Sequence, residues 1–75
     1  MEKQQLKNRM KVERAKKDLT QDALAALVGV TRKTINTIER GIYVPSTLLA
    51  LKISKAFGVN LEEVFYLEEV PTGQV

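Results

Sequence analysis

TQDALAALVGVTRKTINTIERG, residues Thr20 to Gly41, is the stretch that decides the fold. Two short amphipathic segments meet there at Leu27-Val28-Gly29-Val30. Leu24 and Val28 share the inward face of the first segment, and Ala25 is small enough to let the second approach closely. Gly29 stands at the turn, where a positive φ costs a residue without Cβ very little. Ile35 and Ile38 form the inner stripe of the second segment. Six apolar or small residues in register predict two short helices crossing steeply around a tight turn.

Outward from that pair, the chain is punctuated by caps and breakers. The sequence predicts a first helix over about Gln4 to Lys17, with Leu6, Met10 and Val12 inward, and a turn at Asp18-Leu19. Thr20 and Thr31 suit the N-caps of the two central helices. The loop Gly41-Ile42-Tyr43-Val44-Pro45 leads to Ser46, a cap for a fourth helix whose stripe holds Leu48, Leu49, Leu51, Ile53, Ala56 and Phe57. Gly58 ends it. Asn60 followed by Glu63 reads as a capping box opening a short fifth helix, with Leu61, Val64 and Phe65 inward. The expected fold is therefore all-α: a five-helix domain over residues 1–67, its central motif at 20–41, and a tail at 68–75. Val64-Phe65-Tyr66-Leu67 mixes β-branched and aromatic residues, and Pro71 and Gly73 follow soon after. The tail is expected either to fray or to pair as a strand with the N-terminus of the same or another subunit.

Composition narrows the function classes. The 75 residues contain neither cysteine nor histidine, which removes the commonest nucleophile, base and metal ligands. Glu62-Glu63 and Glu68-Glu69 are adjacent carboxylates whose side chains diverge on a helix, and Asp18 and Asp22 are too few for a calcium loop. No glycine-rich phosphate loop is present. Catalysis, cofactor, metal and small-molecule ligand are not expected. No run approaches the roughly 20 apolar residues of a membrane span, and MEKQQLKNR lacks a signal-peptide core. A soluble cytoplasmic domain is expected. Net charge is +3, but residues 1–17 carry seven Lys or Arg against Glu2 and Glu13, whereas the last fifteen carry four Glu and no cation. A basic front and acidic rear orient a molecule toward a polyanion, although a merely solvated basic face gives the same count.

The crossed helix pair is the pattern of a helix-turn-helix, whose second helix enters the major groove of DNA. With LTQDALAALVGVTRKTINTIERG followed by VPSTLLALKISKAFGVNLEEVF, the chain resembles the Xre/Cro-type family of phage repressors and small bacterial regulators over residues 6–67. The resemblance implies a homodimeric, sequence-specific transcriptional regulator, a repressor by preference, on a near-palindromic operator of double-stranded DNA. An antitoxin or protein-interaction adaptor of the same fold is the alternative.

Phase along the third helix separates Arg32, Lys33, Asn36, Thr37 and Arg40 from the buried Ile35 and Ile38. Arg32, Lys33 and Asn36, with Thr37, are the expected base contacts: Arg or Lys donates to guanine, and Asn pairs with adenine. The family often has glutamine at the position of Lys33 and asparagine at that of Arg40, so guanine or phosphate becomes the expected partner of Lys33, and phosphate that of Arg40. Gln21 matches the family's phosphate contact, and Thr31 is expected to cap while lying close to a phosphate. Tyr43 sits where the family's loop flanks the second DNA strand, which implies a phosphate contact, unless it only covers the fourth helix. Glu39 shares the inward face of Ile35, where a lone carboxylate is costly. The resemblance supplies its partner, Arg14 of the first helix, in a structural salt bridge. Useful specificity needs two recognition helices about 34 Å apart. Tyr66, Leu67 and Val70, with Leu49 or Ile53, are the candidate dimer contacts, unless they pack back on their own first helix.

Overall fold

The structure, a computed structural model, describes residues 3–70. Its elements run β1 (Lys3–Asn8), α1 (Met10–Lys17), α2 (Gln21–Val28), α3 (Arg32–Glu39), α4 (Thr47–Phe57), α5 (Leu61–Val64) and β2 (Phe65–Val70). Side-chain caps start the three central helices: the hydroxyls of Thr20, Thr31 and Ser46 accept from the amides of Ala23, Thr34 and Leu49 at 3.0, 3.3 and 3.1 Å. Glu63 accepts from the amide of Asn60 at 2.9 Å, closing the first turn of α5. Gly29 ends α2 at φ +77°, and its amide and that of Val30 both donate to the Ala25 carbonyl. That conformation turns the chain sharply into α3.

The core lies where α1 to α5 converge: Met10, Leu24, Ala25, Val28, Ile35, Ile38, Leu49, Ala50, Ile53, Phe57, Val64 and Phe65. Leu48 and Leu51, expected on the inner stripe of α4, are exposed, and Ala50 and Ser54 take the inward positions instead. The expected stripe was wider than a helix can bury against one small layer. Leu49 and Ile53, candidates for a dimer contact, lie on the buried face of α4. They are 9% and 0% exposed within their own protomer, so little or no surface is left for a partner.

The all-α expectation is corrected at both ends of the chain. Residues 3–8, of which 4–8 are expected to open the first helix, form β1, which pairs antiparallel with β2 in the register Lys3↔Val70 through Asn8↔Phe65. Tertiary pairing overrides the helix-compatible composition of Lys, Gln and Leu here. Helix α1 thus begins six residues later than expected, Leu6 packs on the core from a strand, and Val12 is exposed. The tail pairs with the N-terminus of the same chain. Strand β2 also runs through the expected junction at residue 67 to Val70. Residues 71–75, the rest of that tail, lie outside the described residues.

Candidate nucleic-acid interface

The outward face of α3 follows from the burial of its inward one. Ile35 and Ile38 anchor the helix in the core, which leaves Arg32 and Lys33 exposed in its first turn. Asn36 and Thr37 lie half-buried one turn later, and Arg40 is exposed at the C-cap. The Thr37 hydroxyl donates to the Thr34 carbonyl at 2.9 Å, so its proton is already committed within the helix. Thr31 is exposed, with its oxygen capping α3 and lying 3.2 Å from the Thr34 hydroxyl. Tyr43 is exposed beside the helix, because the amides of Ile42 and Tyr43 both donate to the Thr37 carbonyl, at 3.0 and 3.2 Å.

Beneath this face, one polar cluster ties three helices together. Arg14 on α1 donates from Nε to Glu39 Oε2 at 2.6 Å and from Nη2 to Oε1 at 3.1 Å, a two-point fork. Its Nη1 donates to the Leu19 carbonyl at 3.0 Å. Gln21, at the start of α2, donates from Nε2 to Glu39 Oε1 at 3.1 Å. The Glu39 side chain is 3% exposed and that of Arg14 17%, so the pair is largely removed from water. A charge this buried needs all its partners satisfied, and here the carboxylate accepts three bonds. The cluster fixes the end of α3 against α1 and the start of α2. Gln21 thus has a structural role besides its expected phosphate contact, with one amide proton and its carbonyl still free of protein partners among the described residues.

Three residues at this site escaped the sequence reading. Asn8 donates from Nδ2 to the Ile38 carbonyl at 3.0 Å and accepts from the Met10 amide at 3.1 Å, linking the sheet, α1 and the end of α3. An asparagine two residues before an apolar-periodic run is a helix-start signal, but it was hidden by placing Asn8 inside the helix. Arg9, one of the seven cations of residues 1–17, stacks its guanidinium over the Tyr66 ring at 4.1 Å. Glu13 is buried on α1 and pairs with Lys16 at 3.4 Å. Lys7 pairs with Glu68 across the ribbon at 3.6 Å, while Lys11 and Lys17 are exposed.

Among the described residues, no group of acidic side chains is arranged to hold a metal ion, and no helix is long and apolar enough to cross a membrane. What the geometry offers is a capped, cation-bearing helix held against the body by a buried ion pair.

Comparison with known proteins agrees with that geometry. A helix-turn-helix family model matches residues 10–64. YgzD of Bacillus subtilis, an uncharacterized HTH-type transcriptional regulator, is 55% identical over 64 residues, covering 85% of this chain and 97% of that protein. An uncharacterized HTH-type regulator of Methanocaldococcus jannaschii is 50% identical over the same shares. Among solved structures, a candidate DNA-binding protein from Bacteroides fragilis superposes with a TM-score of 0.74 at 26% identity, over 81% of this chain and 98% of that one. The restriction-modification controller protein C.AhdI of Aeromonas hydrophila gives 0.68 at 31%, over 72% and 78%. The chain belongs to the Xre/Cro-like helix-turn-helix family of DNA-binding transcriptional regulators.

Proposed function

We propose that this protein binds a near-palindromic operator as a homodimer and represses by occupancy, with α3 in the major groove. The observation that carries the reading is the division of α3: apolar side chains seated in the core, and Arg32, Lys33 and Asn36 together on the other side. Arg32 and Lys33 read guanine edges or adjoining phosphate, and Asn36 reads adenine. Thr37 has its hydroxyl proton committed to Thr34, so it contributes as an acceptor or through its methyl. Gln21, Thr31, Arg40 and Tyr43 contact phosphates around this helix, with the free N–H groups at the start of α2. Repression needs only that polymerase be blocked, whereas activation requires a further contact surface.

Dimerisation runs through the ribbon in this reading. Leu67 is 61% exposed on β2, and Tyr66 and Val70 are half-buried beside it. A two-stranded sheet is marginal alone, and β2 presents one edge that β1 does not cover. A second copy placed there covers Leu67 and extends the sheet.

The test is a fluorescence-anisotropy titration of DNA from upstream of the protein's own gene, with shuffled duplex as competitor. Binding that survives excess competitor and weakens steeply with salt is the expected result. Binding abolished by the competitor contradicts operator reading by this DNA.

A further inference from the structure

Leu48, Leu51, Lys52 and Lys55 stand at i, i+3, i+4 and i+7 along α4, which puts them on one face of the helix, and all four are exposed. Leu27, near the end of α2, is exposed as well; it and Leu48 keep 62% and 65% of their surface in water. Helix α2 packs beside α4, and two open clefts of about 410 and 210 Å³ lie along their junction. Leu27, Lys55 and Ala56 line the larger, and Val30 and Leu48 the smaller. Val28, Gly29 and Lys52 line both, so the two form one groove. Its charged side chains are both lysines, and no carboxylate lines it. Neither lysine is in an ion pair among the described residues. No residue of α3 lines the groove.

A groove between two helices has the shape that receives a third, which docks through apolar anchors one turn apart. Leucines edged by free cations fix the chemistry of that third helix: apolar along one face and acidic along its flanks. We propose that the α2–α4 groove docks an acidic amphipathic helix of a partner protein, its apolar side chains on Leu27, Leu48 and Leu51 and its carboxylates on Lys52 and Lys55. A phosphate backbone satisfies the lysines but leaves the three leucines in water, so the surface favours a peptide over a nucleic acid. A second copy laid symmetrically on the groove sets these lysines against their own equivalents, and like charges repel. The inference goes beyond the DNA-binding reading above and does not depend on it, since the groove shares no residue with the outward face of α3.

The probe is a synthetic helix with leucines at i, i+4 and i+7 and glutamates along both flanks, titrated with the full chain. Anisotropy should show saturable binding, and a counterpart with lysine for every glutamate should bind about ten-fold more weakly. Amide resonances that shift on binding should centre on residues 27–30 and 48–56 and spare Arg32 and Lys33. Leu48→Ala should weaken peptide binding about ten-fold, the loss of one buried leucine side chain. Leu48 lies outside the core, so that variant should melt with the parent, as circular dichroism checks. Lys52→Glu combined with Lys55→Glu should lose the acidic peptide and gain the basic one, an exchange that misfolding cannot produce. The absence of saturable binding, equal binding of both peptides, or shifts centred elsewhere overturns the proposal. Perturbation of the same amides by duplex DNA, or by concentrating the free protein, also overturns it and gives the groove to phosphate or to a second copy.

Discussion

Glu39 holds the end of α3 in place through three hydrogen bonds. It sits at the last position of α3 and accepts from Arg14 and Gln21, so one carboxylate joins α1, α2 and α3. Arg14→Met leaves that carboxylate buried without its cation, and should cost about 3–5 kcal/mol in chemical denaturation. Arg32→Ala, on the exposed face of the same helix, should stay within about 0.5 kcal/mol of the parent in stability while weakening DNA binding. The two variants thus separate framework from reader. Glu39 was legible in the sequence because four residues after Ile35 is the same helix face, and a carboxylate there demands a partner. Asn8 was not legible, since its bond to the Ile38 carbonyl crosses thirty residues of chain and no local pattern records it.

At the level of elements, the caps and turns are the most local features and the most readable. Thr20→Ala and Ser46→Ala each remove a side-chain acceptor from a helix start and should cost about 1 kcal/mol. Gly29→Ala meets no atom within 4 Å of the added Cβ, so its cost is the left-handed backbone alone, about 1–2 kcal/mol. Thermal melts on the three variants check both figures. The strands were harder to read. Phe65-Tyr66-Leu67 carries an evident β signal, but Lys3 to Asn8 has the composition of a solvated helix and becomes a strand by pairing with β2. Asn8 then fastens that ribbon to the end of α3. Asn8→Ala removes two hydrogen bonds and should cost about 1–2 kcal/mol. Hydrogen exchange should show faster opening at the last turn of α3 than at α4, since the tie is local to α3.

For the whole molecule, the dipolar charge pattern of the sequence is partly neutralised by the fold. The acidic end pairs back onto the basic one, with Glu68 against Lys7, so the ribbon is mixed in charge rather than a free acidic tail. The exposed cations Arg32, Lys33 and Arg40 are left grouped around α3. On the homodimer proposed above, Leu67→Lys alters an exposed ribbon residue and should leave the fold intact while shifting the protein toward monomer in sedimentation equilibrium. The same variant should weaken operator binding, because a single recognition helix reads too few bases for useful specificity.

The sequence by itself determined that there are five helices, the caps of α2 to α5, the tight turn at Gly29 and the inward and outward faces of α3. Each follows from interactions within a few residues, which a linear pattern records. Only the tertiary structure decided that the first residues form a strand and that the tail pairs within its own chain. It alone brought Asn8 to the Ile38 carbonyl. These depend on which distant segments meet, and that is settled by packing and ladder hydrogen bonds between parts of the chain that share no local signal.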